Sequence, residues 1–231
     1  MDVDRCTISK TAVFVLGERV SFIQHPASPN LPLAPSQYDS RYQEQFNNVL
    51  RLYFNRLNNN LLSLFGTYGG QYVQLPLGSF YDTTDQTAAS TTTAYAITYN
   101  TTSISNGVKV LNSSEIHFDY PGLYNIQFSV QLSNDDNATQ DVDIWFRKNG
   151  QDIADSNSRF GLAPRKSAGD PYHVVAALNF IVSVTPNDYI QLYWRSSNTS
   201  TYIEYYTAPS SPTRPVIPSV ILTATLVSGI E

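Results

Sequence analysis

Along residues 122–132 the side chains alternate in character. Tyr124, Ile126, Phe128, Val130 and Leu132 fall on one side of an extended chain, and Asn125, Gln127, Ser129 and Gln131 fall on the other. This alternation follows the Pro121-Gly122 turn and predicts a half-buried antiparallel strand. Burying five large apolar side chains contributes roughly 1.5–3 kcal/mol each. Ordering the backbone costs roughly 1–2 kcal/mol per residue, so the gain and the cost nearly cancel and the strand needs a second sheet against it.

The same reading extends from Ala94 onward. Candidate strands are Ala94 to Tyr99, Ile104 to Leu111, Glu115 to Phe118, Asp141 to Lys148, Tyr172 to Val184, Asp188 to Arg195, Thr201 to Tyr206 and Val216 to Val227. Asn106-Gly107, the Asn/Asp run at 134–137, Asn149-Gly150 and Pro186-Asn187-Asp188 separate them as turns. Many short strands at such spacing predict a sandwich or jelly roll. Two strands are apolar on both sides. In 174–184 the inward set is Val174, Ala176, Leu178, Phe180, Val182 and Val184, yet Val175, Ala177 and Ile181 line the other side; in 220–227 the outward residues are Ile221 and Val227. A strand apolar on both faces is covered on both, and the expected cover is a neighbouring subunit. These five outward residues are the candidate trimer interface.

From Tyr38 to Phe65 the period changes to that of a helix, with Ser36 or Ser40 as the expected cap and Gly66 and Gly69-Gly70 as the stop. Tyr42, Phe46, Leu50, Tyr53, Leu57, Leu61 and Leu64 form a seam with an eleven-residue repeat, which suits a straight or gently right-handed supercoil. Asn47, Asn48, Arg51, Asn55, Asn58 and Asn59 occupy the opposite face. They are poor helix formers, so packing must hold this helix. Its expected partner is the same helix of another copy; folding back on its own β-domain is the alternative.

Residues 12–24 read as a short strand or hairpin, and Pro26, Pro29, Pro32 and Pro35 recur at the period of polyproline II, as in a stiff spacer. Residues 67–93 read as a linker with one strand-like run, Tyr72 to Leu77. The expected organisation is therefore an amino-terminal anchor at 1–37, an oligomerisation helix at 38–66, a linker at 67–93 and a β-domain at 94–231.

Composition narrows the function. Charged residues are 14% and aromatics 13%, with 16 tyrosines, so much of the surface is polar without charge. A net charge of -5 and a pI near 5.1 give nucleic acid and anionic membranes no broad attraction. Cys6 is the single cysteine, which excludes a disulfide within one chain. No stretch of 18 apolar residues and no signal-peptide pattern is expected to direct the chain into or across a membrane.

Candidate chemistry is sparse. His25, His117 and His173 are too scattered for a metal site, and no nucleophile elbow, phosphate loop or dinucleotide fingerprint occurs. No enzyme activity and no cofactor are expected. Asp135, Asp136 and Asp141 are a weak calcium candidate, against a solvated Asn/Asp-rich turn. Trp145, Tyr189, Tyr193, Tyr202 and Tyr205 are candidates for a binding surface. The first three alternate out of phase with the expected core positions Ile144, Phe146, Ile190, Leu192 and Trp194, and exposed rings suit sugars and protein partners alike. Filling the trimer interface is their competing role.

Pro121-Gly122-Leu123-Tyr124 with Phe128, Trp145-Phe146 with Lys148-Asn149-Gly150, Asn187-Asp188-Tyr189-Ile190 with Leu192 and Trp194, and the closing strand at 220–227 together resemble the complement and tumour-necrosis-factor superfamily of jelly rolls. The resemblance covers roughly residues 94–231. It implies a jelly roll in a tight homotrimer, beneath a trimeric stalk, with ligands on its outer surface. The closing strand lacks the Phe-x-Gly common in that superfamily, and no collagen repeat precedes the domain. Residues Asn30 to Leu50 are similar to segments in structural proteins of tailed phages of marine and freshwater bacteria. That similarity implies a mainly β virion protein, made in the host bacterial cytoplasm. It would be a homotrimeric fibre, knob or decoration that contacts other virion proteins through residues 1–37 and a host-surface glycan or protein through its jelly roll. A free-standing binding module of the same fold is the alternative.

Overall fold

The structure is a computed structural model that describes residues 26–65 and 75–229. The expected strand or hairpin at 12–24, Cys6, His25, the Gly66 and Gly69-Gly70 stops and residues 72–74 of the Tyr72–Leu77 run lie outside the described residues. The chain divides into two units, Met1–Gln74 and Leu75–Glu231.

In the first unit, helix α1 spans Ser40–Phe65. Its start is set by Asp39. The Asp39 carboxylate accepts the Arg41 amide at 2.9 Å and its carbonyl accepts the Gln43 amide at 3.1 Å. Asp39 therefore replaces the expected Ser36 or Ser40 as cap. A carboxylate satisfies an orphan N–H as a hydroxyl does, and its charge adds a favourable term at the positive end of the helix. Tyr42, Phe46, Leu50, Tyr53, Leu57 and Leu64 are half-buried, Leu61 is exposed, and Tyr42 stacks on Phe46 with ring centres 6.0 Å apart. The asparagine face supports itself locally: Gln43 donates to Asn47 at 3.0 Å and Arg51 to Asn48 at 2.8 Å. Leu52, Phe54 and Leu62 are also exposed, which makes the helix's apolar surface wider than a single seam. No helix among the described residues is long and apolar enough to cross a membrane.

Among the described residues the second unit contains fourteen strands. They are β1 Leu77–Asp82, β2 Gln86–Thr87, β3 Tyr95–Ala96, β4 Thr101–Asn106, β5 Val108–Leu111, β6 Glu115–Phe118 and β7 Gly122–Asn134. Then follow β8 Gln140–Lys148, β9 Gln151–Asp152, β10 Ser158–Leu162, β11 Tyr172–Val184, β12 Tyr189–Ser196, β13 Thr201–Ile203 and β14 Val220–Ser228. All pair antiparallel and form two sheets packed as a sandwich. The first sheet runs β4-β1-β14-β7-β11, with β13 and β2 continuing beside β7 beyond the start of β14. The second runs β5-β6-β12-β8-β10, with β3 on β12 and β9 on β8.

The core lies between the sheets. Tyr124, Ile126, Phe128, Val130 and Leu132 are at most 4% exposed, as the alternation predicts. They meet Ile144, Phe146, Ile190, Leu192 and Trp194 from the other sheet, with Phe128 edge-on to Phe146 at 5.8 Å. Leu178, expected inside, is 40% exposed. Its strand β11 pairs only with β7 among the described residues and so sits at a sheet edge.

Several boundaries differ from the sequence reading. The stretch 104–111 breaks into β4 and β5 at Gly107, whose φ of +68° favours glycine and whose added Cβ would lie 2.9 Å from the Tyr120 ring. Thr201 to Tyr206 ends as a strand at Ile203, and the closing strand starts at Val220, after Pro215 and Pro218, which have no N–H for a ladder. At Asn149-Gly150 both φ angles are positive, 51° and 79°, and Lys148 faces Gln151, which is the tight hairpin that this dipeptide favours. The largest correction concerns the linker expected at 67–93. Its residues 77–82 are β1, between β14 and β4, and Phe80 is fully buried. The sequence Leu-Gly-Ser-Phe-Tyr-Asp alternates too briefly to be distinguished from a polar loop until the sheet supplies both neighbours.

If β1 is integral to the β-unit, Phe80→Ala destabilises the protein by about 3–5 kcal/mol. Urea denaturation followed by intrinsic fluorescence measures this; a loss under about 1 kcal/mol would return residues 77–82 to the linker.

Candidate functional site

The outward face of the second sheet carries side chains that alternate against the core. On β8 the inward Val142, Ile144 and Phe146 leave Asp143, Trp145 and Arg147 outside; on β12 the inward Ile190, Leu192 and Trp194 leave Gln191, Tyr193 and Arg195 outside. The antiparallel register sets Tyr193 opposite Trp145, Arg195 opposite Asp143 and Gln191 opposite Arg147. Strand β10 places Arg159 on the other side of Asp143, and β9 places Asp152 opposite Arg147. Register alone thus assembles two expected binding residues, Trp145 and Tyr193, within a frame of acids and arginines. Their ring centres are 6.1 Å apart.

Each charged group has a fixed partner. Arg159 donates to both oxygens of Asp143, at 2.7 and 3.1 Å, and Arg195 donates to the second oxygen at 3.0 Å. Asp143 is 5% exposed, and the hydrogen bonds from Arg159, then Arg195, hold its carboxyl below the usual range despite the opposing effect of burial. Asp152 accepts from Arg147 at 2.5 Å and from the Trp145 indole N–H at 2.6 Å, and both bonds lower its pKa. The Arg147 guanidinium lies 3.9 Å over the Tyr193 ring. Between these groups is an open hollow of about 300 Å³, lined by Asp143, Trp145, Asp152, Ile153, Asn157 and Arg195. Its two carboxyls are both held ionised, so neither is poised as the general acid that glycoside hydrolysis requires. The hollow is suited to holding a polar ligand.

The other expected residues are elsewhere. Tyr189 lies tilted against His117 with ring centres 5.3 Å apart, four residues along β12 from Tyr193, roughly 13 Å at strand rise. Tyr202 pairs with Thr87 and Ser133 in the first sheet, and the Tyr205 amide donates to Asp85 at 2.7 Å. The expected interface residues share the outer face of that first sheet. Ala177, Ser129 and Ile221 form one cross-strand row and Ile181, Asn125 and Thr225 another, with Val175 beside Gln131. Val175, Ile181 and Val227 are more than half exposed and Ile221 is 39% exposed, while Asn125 Oδ1 is buried there without a hydrogen-bond partner.

The calcium candidates do not converge. Asp135 faces Arg165 at 3.5 Å, Asp136 accepts from Asn137, Asn198 and Gln140, and Asp141 lies 3.8 Å from Arg159. Among the described residues no three His, Cys, Asp or Glu side chains are grouped to hold a metal.

Arg147, Arg159, Arg195, Asp143, Asp152 and Asn157 were not legible as a site. The same-phase alternation of Asp143 and Arg147 with Trp145 was a usable signal for two of them; β10, unread in the sequence, concealed Arg159. A second missed cluster joins Ser133, His173, Glu204 and Tyr206. The Tyr206 hydroxyl lies 2.6 Å from His173 Nδ1 and donates to Glu204 at 2.7 Å; Ser133 lies 2.8 Å from the same nitrogen and also donates to Glu204. Burial is the main cause raising the Tyr206 pKa. Ser133 is fully buried, so its hydroxyl is closed to a substrate. Neither a family model nor a curated protein matches the sequence.

Because the Asp143 pKa is lower folded than unfolded, its stabilising effect is complete above about pH 4 and is lost as pH falls through the folded value. Asp143→Asn should therefore cost about 1–2 kcal/mol at pH 7, discounted for the exposure of both arginines. The gap to the parent should shrink in acid. Urea midpoints at pH 7 and pH 3 test this; a gap that is constant across both would remove the ion-pair account.

Proposed function

We propose that the chain is a homotrimeric structural protein of a phage virion, docked on the particle through residues 1–37 and presenting a jelly roll for attachment to the host surface. The observation that carries this reading is the contrast between the two outer faces of the sandwich. The outer face of β11, β7 and β14 is uncharged along its central rows, where Val175, Ala177, Ile181 and Ile221 alternate with Gln, Asn, Ser and Thr. Such a surface excludes no copy of itself by charge, and its apolar residues gain by leaving water. The outer face of β8, β12 and β10 instead carries the paired charges, aromatic rings and hollow described above. One face thus suits subunit contact and the opposite one suits a ligand.

The strand order supports the jelly-roll part. The first strand of the β-unit lies beside the last, and β6-β12-β8-β10 faces β1-β14-β7-β11, so that successive strands cross repeatedly between sheets. The half-buried stripe on α1 supports association through the helix as well. The virion setting rests on the similarity of residues 30–50 to tailed-phage proteins. No catalysis is assigned to the chain.

Light scattering at micromolar concentration should give about three times 25.8 kDa. Ile181→Asp with Val175→Asp should place three pairs of carboxylates in the contact and shift the protein to monomer without unfolding it. A wild-type monomer, or a variant that stays trimeric, would sink the interface assignment. Attachment is tested separately: labelled Trp145→Ala trimers should lose binding to host cells that the parent retains.

A further inference from the structure

We propose that the hollow over Trp145 and Ile153 takes a neutral hexopyranose of a host-surface glycan, an assignment that rests on the attachment reading above. Its walls combine the two surfaces that a sugar ring presents. Trp145 is half-buried and offers part of an indole face, and Ile153 adds an aliphatic floor packed against the core. These suit the C–H face of a pyranose. Asp143, Asp152, Arg195 and Asn157 rim the same hollow with acceptors and donors.

Charge selects the class of sugar. Arg147, Arg159 and Arg195 are matched by Asp141, Asp143 and Asp152 on the same face, and the chain as a whole is acidic at -5. A carboxylate or sulfate on the ligand would find no net attraction on a face whose guanidiniums are already neutralised by carboxylates bonded at 2.5–3.1 Å. A hydroxyl has no such conflict. It donates to a carboxylate and accepts from a guanidinium N–H at once, so two neighbouring hydroxyls can bridge an existing ion pair without breaking it. The nitrogens Nη1 and Nη2 of Arg195 are not engaged by the Asp143 bond, which uses Nε.

At about 300 Å³ the hollow is at the small end of ligand sites, which run from about 300 to 1,000 Å³. It holds one ring, with the remainder of the glycan running out over the sheet. One ring of about a dozen non-hydrogen atoms binds with a Kd on the order of millimolar. Three copies per trimer then raise the effective affinity for a dense glycan surface by about 10²–10⁴. Because Asp143 and Asp152 are both held ionised well below neutrality, the affinity is level between pH 5 and 8.

The test titrates the purified full chain with the methyl glycosides of glucose, galactose and mannose, and with glucuronic and N-acetylneuraminic acids, following tryptophan fluorescence. At least one neutral glycoside should give saturable binding with millimolar Kd. Each acidic sugar should bind at least tenfold more weakly, and both Trp145→Ala and Asp152→Asn should weaken the neutral sugar at least tenfold. Asp152 is on the rim of the sheet with its side chain 59% exposed, so its variant reports the site even where loss of Trp145 disturbs folding. Tighter binding of an acidic sugar, or no saturation by any neutral glycoside at 100 mM, overturns the proposal. Failure of the attachment reading looks different: Trp145→Ala trimers would then bind host cells as the parent does, whatever the sugars show. Lost cell binding with no response to neutral glycosides would remove only the ligand class.

Discussion

Strand β7 is the constraint on which the β-unit depends. Its five inward side chains bury almost completely, and the polar residues between them leave its other face unable to do the same. Such a strand is stable only when neighbours satisfy its backbone on both edges. Strand β11 does so on one edge over all thirteen residues, and β14 followed by β13 does so on the other. A one-residue slip of any of these against β7 would turn its own inward side chains toward solvent. The register of the first sheet is therefore held by the burial of one alternating segment, and the second sheet is required to cover it.

That register reaches the candidate site indirectly. The second sheet packs Ile144, Phe146, Leu192 and Trp194 against β7's inward face, which fixes the phase of β8 and β12. Once phase is fixed, Asp143, Trp145, Arg147, Tyr193 and Arg195 must point outward. The pairing of β8 with β12 and β10 then brings Arg159, Asp143 and Arg195 into one row. Ionic groups on a surface contribute little when mobile. Here Asp143 is almost completely buried and bonded by two guanidiniums, which ties the three side chains into one row.

The two units use apolar exposure differently. On the sandwich it includes Val175 and Ile181 on the outside of β11 and Val227 at the end of β14, and also Ile104, Leu111 and Tyr120 away from them. On α1 it extends from the stripe of half-buried residues to Leu52, Phe54 and Leu62.

Much of the β-unit was legible because its signals are local. Alternation marked β7 and β11 and the phase of β8 and β12, and Asn149-Gly150 marked its hairpin. These depend on the two-residue period of a strand and on the φ preferences of single residues, both of which are written in neighbouring positions. Local chemistry also placed Trp145 and Tyr193 outward. What tertiary structure alone decided is which strands become neighbours. Strand β1 lies between β14 and β4, across about 140 residues of chain from one of them, and β10 supplies Arg159 from a segment with no usable periodicity. The hollow, the Asp143 row and the separation of Tyr202 and Tyr205 from Trp145 follow from those pairings. Strand pairing is a long-range choice settled by burial of whole faces at once, so no window of sequence contains it.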